Sequence, residues 1–261
     1  MTQTTVPVIF DLDGTLVDPA GGITDGIASA LRGVGLPVPG QDLLEAMIGP
    51  KLSDSLLNVA QVPAELLEAM IGPKLSDSLL SVAMVPADKL DEVIRLYRQH
   101  YLATGIAQSR IYPGIREVLE SFAAAGLPVA VATQKPQRLA RTVLEHHGVD
   151  GLFHGIHGSA DDESAVEGIP VGKTGIIAAA LKDLDTQHAV MVGDRAQDVS
   201  GAIANGLDCI GVAWGFAPDG ELEEAGAVAI VETAEGLAEL IGRMQAAHAS
   251  AMSGVSNDGH V

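Results

Sequence analysis

The sequence predicts an α/β fold in which a doubly wound parallel sheet carries an inserted, all-helical domain. From about residue 110 onward, short apolar, β-branched segments alternate with amphipathic helical patterns, as is typical of βαβ units. A similar apolar segment, VPVIFDLD, stands near the N-terminus, and only helical patterns lie between it and that alternation. The chain has 261 residues, 47% of them apolar, which is enough for one large core and a smaller companion.

Six segments are predicted to form the strands of the sheet. They are residues 6–13, 127–133, 155–159, 188–194, 209–214 and 227–231. The helical patterns of the same region are GIREVLESFAAAG, PQRLARTVLEHHG, KTGIIAAALKDL and AQDVSGAIANG, and several of them end on a glycine that suits a C-cap. This alternation predicts a core whose ligands bind at the carboxyl ends of the strands.

The helical insertion is predicted to interrupt the core after its first strand. We place the core at residues 1–17 and 110–244, the helical cap at 18–109, and a disordered tail at 245–261, where periodicity is lost. Inside the cap, residues 66–88 repeat residues 43–65 almost letter for letter. Two units are too few for a solenoid, which needs about three, so the repeat is one 23-residue tandem duplication within another fold.

Composition limits the partners of the chain. Fifteen Lys and Arg residues stand against 34 Asp and Glu residues, a net charge of −19 that opposes binding to nucleic acid or to an anionic membrane. No apolar run approaches the length of a membrane span, and the N-terminus lacks the pattern of a signal peptide, so we expect a cytoplasmic protein. The single cysteine, Cys209, lies in an apolar run and is expected to be a buried, inert thiol.

Polar residues recur at the ends of the predicted strands. They are Asp11 and Asp13 in FDLDGTLVD, Thr133 at the end of LPVAVAT, Lys173 at the start of KTGIIAAAL, and Asp194 and Asp198 in GDRAQD. Each can also be explained by a structural role unrelated to catalysis, such as a helix cap, a solvated lysine or an acidic first helical turn. Together, at successive strand ends, they place carboxylates, a hydroxyl and an ammonium around one crevice, which separate capping roles explain poorly.

These motifs, in this order, resemble the four motifs of the haloacid dehalogenase superfamily of phosphotransferases, read as DLDGT, Thr133, Lys173 and GDRAQD. The helical insertion resembles the cap that this superfamily inserts after its first motif. The resemblance implies a phosphomonoester hydrolase that forms an aspartyl phosphate on Asp11. It implies that Asp13 is the general acid and base, which protonates the leaving oxygen and then deprotonates the hydrolytic water.

The resemblance also implies a Mg²⁺ ion and a phosphate-binding set. The ion would be held by the Asp11 carboxylate, the Asp13 backbone carbonyl and Asp194. Asp198 would act through a bound water or support these ligands without contacting the ion. Thr133, Lys173 and the backbone amides near Gly14 would bind the phosphoryl oxygens. The histidines, Trp214 and Phe216 receive no role.

The segments IGPKLSDSL, YRQHYLATG and YPG resemble the phosphoglycolate phosphatase and 5'-nucleotidase-like branch of the superfamily. The phosphoglycolate type commonly continues its motif-three lysine as KPxP, whereas this chain has Lys173-Thr174-Gly175, which favours the 5'-nucleotidase-like group. The expected partner is a small phosphorylated metabolite. Two alternatives stay open: a phosphomutase or other phosphotransferase on the same core, and a non-catalytic binding protein that keeps the fold.

The duplication supplies two candidate substrate loops, Gly49-Pro50-Lys51 and Gly72-Pro73-Lys74. We expect only one of them to take the usual cap position over Asp11. The second copy is favoured because it continues directly into the YRQHY helix.

Overall fold

The structure is a computed structural model that describes residues 5–19, 21–41, 44, 79–80, 83–160 and 172–255. The chain divides into two compact units. Residues 1–16 and 111–261 form one, here called the core unit, and residues 17–110 form the other, here called the helical unit. The boundaries predicted from the sequence fall at 17/18 and 109/110.

Eight strands are present in the described part of the chain: β1 Val8–Phe10, β2 Val17–Asp18, β3 Arg110–Ile111, β4 Val129–Pro136, β5 Gly155–Ser159, β6 Val190–Gly193, β7 Asp208–Val212 and β8 Ala229–Val231. Six of them form one sheet in the order β5-β4-β1-β6-β7-β8, and β2 and β3 form a separate two-stranded sheet. All six strands predicted for the core are therefore found; most are shorter than predicted, while β4 runs three residues beyond its predicted end.

The six-stranded sheet is parallel and doubly wound. From β1 the chain moves to β4 and β5 on one side, and then to β6, β7 and β8 on the other. Neighbouring strands pair in parallel throughout, and Phe10 of β1 is level with both Val131 of β4 and Val192 of β6. The point where the strand order reverses therefore lies at β1, and that is where open α/β sheets bind their ligands.

The described helices are α1 Gly22–Gly33, α2 Leu90–His100, α3 Ile106–Gln108, α4 Ile115–Ala124, α5 Gln137–His146, α6 Gly172–Asp183, α7 Ala196–Ala204, α8 Glu221–Ala225 and α9 Ala234–Val255. One hydrophobic cluster joins the sheet to α6 and α7, with Ile9, Met191 and Cys209 on the strands and Ile177 and Val199 on the helices. Cys209 is 1% exposed, which confirms the expected burial, and that burial raises the pKa of its thiol.

The helical unit is described only in part. Helices α1 and α2 pack together, and α2 continues through a π-helical turn, Tyr101–Gly105, into α3. The start of α1 lies so close to the π-helical turn that a Cβ on Gly22 would overlap the backbone of Gly105, so this contact requires glycine. The rings of Tyr97 and Tyr101 stack with centroids 5.8 Å apart. Both candidate substrate loops, Gly49-Pro50-Lys51 and Gly72-Pro73-Lys74, and most of the two repeat copies lie outside the described residues.

The C-terminal segment corrects one prediction. We predicted disorder from Gln245 onward, but α9 continues as helix to Val255. Gln245 anchors the helix to the start of the chain, because its side chain accepts a hydrogen bond from the Val6 amide at 2.9 Å and donates one to the Val6 carbonyl at 2.7 Å. This tertiary contact helps to hold the helix in place although the segment lacks a hydrophobic periodicity. Residues 256–261 lie outside the description, and among the described helices none is long and apolar enough to cross a membrane.

Candidate active site

The predicted site residues lie at the carboxyl ends of the three central strands. Asp11 directly follows β1, and its amide donates a hydrogen bond to the Val192 carbonyl at 2.9 Å. Thr133 and Asp194 each stand two residues beyond the positions level with Phe10, on β4 and after β6 respectively. The register of the sheet therefore brings three of the four motifs to one edge.

The loop after β1 turns sharply at Gly14. The Thr15 amide donates to the Leu12 carbonyl at 3.3 Å, and Gly14 has a φ of 86°, a conformation that glycine adopts without a steric penalty. A Cβ at Gly14 would also overlap the Asp194 carboxylate and the Phe216 ring. Glycine is required there both for its backbone angle and for the approach of Asp194.

Lys173 links the first and last motifs. Its ammonium, at the start of α6, lies 2.5 Å from Asp11 Oδ1 and 2.6 Å from Asp198 Oδ1. The side chains of Lys173 and Asp198 are 4% and 1% exposed. Burial acts to lower the pKa of the ammonium, but the two carboxylates outweigh it and raise that pKa above its ordinary value. Lys173 is therefore a fixed positive charge at this edge of the sheet.

Asp194 is fully buried and held from two sides. The Thr15 hydroxyl donates to Oδ1 at 3.0 Å, and the Phe216 amide donates to Oδ2 at 2.9 Å. Burial and the neighbouring carboxylates of Asp198 and Asp11 raise the pKa of Asp194, and the two hydrogen bonds oppose that rise only in part. The surroundings of Asp194 therefore favour its protonated form unless a nearby cation offsets the negative charge of the carboxylates.

Asp198 supports the loop around Asp194. Its Oδ2 accepts hydrogen bonds from the backbone amides of Asp194 at 3.1 Å and Arg195 at 3.0 Å, while Oδ1 faces Lys173. Burial raises the pKa of Asp198 to about 6, against the opposing influence of Lys173. Both carboxylate oxygens are already engaged, so Asp198 suits a supporting role better than direct ligation.

A divalent cation fits the carboxylate cluster. Asp11, Asp194 and Asp198 each offer an oxygen, and these oxygens lie within 4.8 Å of one another. Carboxylate oxygens are the hard ligands that Mg²⁺ and Ca²⁺ prefer, and a cation would offset the charge that raises the pKa of Asp194. The residues present could therefore hold a divalent metal ion.

The loop that carries Asp194 is braced by an ion pair. The Arg195 guanidinium donates to both carboxylate oxygens of Glu221, at 2.8 and 3.1 Å, and the Ala196 amide donates to Glu221 Oε1 at 2.8 Å. Arg195 is 4% exposed. A bidentate, buried Arg–carboxylate pair fixes the orientation of both side chains. Glu221 therefore sets the position of the first turn of α7.

Asp13 has a lysine partner that was not predicted from the sequence. The Lys135 ammonium lies 2.6 Å from Asp13 Oδ2, and the Lys135 amide donates to the Thr133 hydroxyl oxygen at 3.2 Å. Thr15, Phe216 and Glu221 were also missed. Lys135 is two residues after a predicted site residue and Thr15 lies within DLDGT, so proximity in sequence could have flagged both. Phe216 lies in the loop after β7 and Glu221 begins α8, both far from the motifs in sequence, so neither carried such a signal.

Comparisons with known proteins agree with this geometry. The family described as haloacid dehalogenase-like hydrolase matches residues 8–206. The tyrosine-protein kinase PtkA of Mycobacterium tuberculosis is 35% identical over 211 residues, which are 80% of this chain and 62% of that relative, so the match leaves over a third of PtkA uncovered. A 5'-nucleotidase of Pseudomonas aeruginosa is 33% identical over 82% of this chain and 86% of its own length.

A solved structure has the same fold. The crystal structure of a predicted phosphatase from Clostridium acetobutylicum superposes with a TM-score of 0.70 at 30% identity, covering 92% of this chain and 99% of the other. The family match spans all four motifs, and the strand order, the carboxylate cluster and the buried lysine are present in the structure. The chain therefore belongs to the haloacid dehalogenase-like hydrolase family.

Proposed function

We propose that the protein is a Mg²⁺-dependent phosphomonoester hydrolase that forms an aspartyl phosphate on Asp11. The observation that carries the proposal is the Lys173 ammonium, which lies 2.5 Å from Asp11 Oδ1 and 2.6 Å from Asp198 Oδ1 in a buried site. A nucleophilic carboxylate must approach an anionic phosphate, and a fixed buried cation beside it reduces their repulsion. No part of the carboxylate, lysine and hydroxyl set that this chemistry needs is missing from the site.

The reaction would proceed in two halves. In the first, an Asp11 oxygen forms a bond to phosphorus, the bond from phosphorus to the leaving oxygen breaks, and Asp13 gives that oxygen its proton. In the second, Asp13 takes a proton from a water molecule, the water oxygen bonds to phosphorus, and the bond to Asp11 breaks. Inorganic phosphate and the original enzyme result.

Three groups would bind the phosphoryl oxygens. Thr133 is 2% exposed, and its hydroxyl oxygen accepts a hydrogen bond from the Lys135 amide, which leaves the hydroxyl hydrogen available to donate. Lys173 supplies charge, and the turn at Gly14 presents backbone amides. Donors fixed before the substrate arrives are the main source of rate enhancement in reactions of this kind.

The metal ion would be held by Asp11, Asp194 and the backbone carbonyl of Asp13. Asp198 would support them by holding the backbone at Asp194. When bound, Mg²⁺ would supply positive charge that polarises the phosphoryl group and orients it. Magnesium is proposed because the site offers only oxygen ligands and no thiolate or imidazole among the described residues of the cluster.

The proposed substrate is a small phosphorylated metabolite, with a nucleoside 5'-monophosphate ahead of 2-phosphoglycolate. The relative named 5'-nucleotidase matches over most of both chains, and Lys173-Thr174-Gly175 departs from the KPxP pattern of the phosphoglycolate type. We further propose a cytoplasmic location, with support from a single cysteine that is buried and unpaired. The acidic composition argues against nucleic acid or an anionic membrane as partner.

The experiment is phosphate release from a panel of monoesters that includes nucleoside 5'-monophosphates and 2-phosphoglycolate. Release should require Mg²⁺, stop in EDTA and be lost in Asp11→Asn. The PtkA relative is named a tyrosine-protein kinase, so a transferase is the alternative to test. A transferase would release little phosphate until an acceptor such as a tyrosine peptide is added. A non-catalytic protein would release none under any condition, and either result would overturn the proposal.

A further inference from the structure

Lys135 belongs to the site by geometry, yet the proposed reaction so far gives its side chain no task. It stands near the end of β4, and its ammonium forms an ion pair with Asp13 Oδ2 at 2.6 Å. The side chains of Lys135 and Asp13 are 5% and 18% exposed. A pair this short and this sheltered holds both partners in one orientation, unlike the loose ion pairs of an open surface.

The two carboxylate oxygens of Asp13 differ in their surroundings. Oδ2 is held by Lys135, whereas Oδ1 is buried and has no hydrogen-bond partner in the described part of the chain. A buried oxygen without a partner costs free energy unless a ligand or a proton completes it. The substrate's leaving oxygen, or the water that later replaces it, is the partner that the reaction would bring.

We propose that Lys135 is a positioning residue for the leaving-group step, which rests on the proposed function of Asp13. By holding Oδ2, Lys135 makes Oδ1 the oxygen that carries the transferable proton and keeps it aimed at the leaving group. In that step the phosphorus–oxygen bond breaks, its electron pair passes to the leaving oxygen, and the proton moves from Asp13 Oδ1 to that oxygen. Asp11 forms the new bond to phosphorus at the same time.

Two other roles for Lys135 make different demands. A lysine that binds the substrate phosphate directly would turn its ammonium toward the phosphate, but here the ammonium lies against Asp13. A lysine that only braces β4 would act on the fold and would affect every substrate alike. The roles therefore separate by how strongly the effect of a substitution depends on the leaving group.

The test compares kcat/KM for two substrates that differ in their need for a proton. An alkyl phosphate, taken as the best substrate of the wild-type panel, leaves as an alkoxide that must be protonated, whereas p-nitrophenyl phosphate releases a stable phenolate. kcat/KM covers the steps up to leaving-group departure, so the later attack of water does not obscure the comparison. Lys182→Met, an exposed lysine in α6, is the matched control.

Lys135→Met should lower kcat/KM for the alkyl phosphate about 10- to 100-fold, because losing the positioning of a general acid removes part of its contribution to the rate. It should lower kcat/KM for p-nitrophenyl phosphate less than about threefold. Lys182→Met should change neither. In an Asp13→Asn background, adding Lys135→Met should change neither substrate further, because the positioning role acts only through Asp13. That double variant also removes both charges of the pair, so it leaves no buried charge unpaired if the single variant folds poorly.

Equal losses on both substrates, or a further loss in the Asp13→Asn background, would overturn the positioning role. A rise in KM of the same size for both substrates would assign Lys135 to phosphate binding instead. These failures differ from failure of the proposed function, in which the wild-type protein itself would release no phosphate from either substrate.

Discussion

Replacing Lys173 with methionine tests the electrostatic logic of the site. The substitution keeps an unbranched side chain of similar length but removes the ammonium that faces Asp11 at 2.5 Å and Asp198 at 2.6 Å. Asp198 is 1% exposed, so water cannot replace the lost partner. Removing one member of a buried ion pair typically costs about 3–5 kcal/mol, because an uncompensated charge stays behind.

We expect that loss at pH 8 in EDTA, and a smaller loss at pH 5.5. Burial already raises the pKa of Asp198 to about 6 with Lys173 present, so at the lower pH the carboxyl can take up a proton instead of remaining charged. With Mg²⁺ in place of EDTA, activity should fall at both pH values by about 10²–10³-fold in kcat, the usual effect of losing one donor that stabilises the transition state.

Urea denaturation followed by tryptophan fluorescence measures the change in stability. The chain has one tryptophan, Trp214, whose indole donates to the Thr15 carbonyl at 3.1 Å, so the signal reports on the core unit beside the site. Lys182→Met, in the same helix but exposed, is the control and should stay within about 0.5 kcal/mol of wild type. A Lys173→Met protein that loses less than about 1 kcal/mol at pH 8 would refute the reasoning, since that is the cost of an ordinary exposed pair.

Two further predictions concern Asp194 and Asp198. Gly215→Ala should destabilise the protein by about 1–3 kcal/mol and weaken Mg²⁺ binding, because its Cβ would overlap Asp194, whereas Gly242→Ala, where a Cβ meets nothing within 4 Å, should do neither. Urea denaturation and a Mg²⁺ titration check this, and unchanged Mg²⁺ affinity in Gly215→Ala would count against Asp194 as a ligand. In EDTA, the stability of wild type relative to Asp198→Asn should fall as the pH rises from about 4 to about 6, because the folded protein keeps a proton on Asp198 that the unfolded chain, with its ordinary pKa of 3.8, has released. A difference that stays constant over that range would contradict the raised pKa.

The core and its main site were predictable because both follow from strand order. A β-branched segment that ends in polar residues fixes where those residues lie once the sheet is parallel, and Phe10 is indeed level with Val131 and Val192. Lys173 was singled out only together with the other motifs, and its role was implied by the resemblance to the haloacid dehalogenase superfamily; the structure brings its ammonium to Asp11. Local pattern and sheet topology indicated where these residues lie, and the family resemblance supplied their expected roles.

The contacts that depend on side-chain direction were not predictable. The predicted second strand ends at Thr133, but β4 continues to Pro136. Its pairing with β5 shifts after Ala132, and the Lys135 side chain reaches Asp13. Phe216 received no role because nothing in a distant loop shows that its amide reaches Asp194. Gln245 was placed in a disordered tail because its anchoring contact with Val6 spans nearly the whole chain.

The most direct test of the account is to identify the phosphorylated residue. Asp13→Asn should form the phosphoenzyme from p-nitrophenyl phosphate and Mg²⁺, because the phenolate leaves without a proton, and should then hydrolyse it slowly, because no base activates water. Rapid acid quenching followed by peptide mass spectrometry should find one phosphoryl group on Asp11, and none in Asp11→Asn. Phosphate release by the wild-type protein without any phosphoryl group on Asp11 in the quenched Asp13→Asn variant would contradict the account.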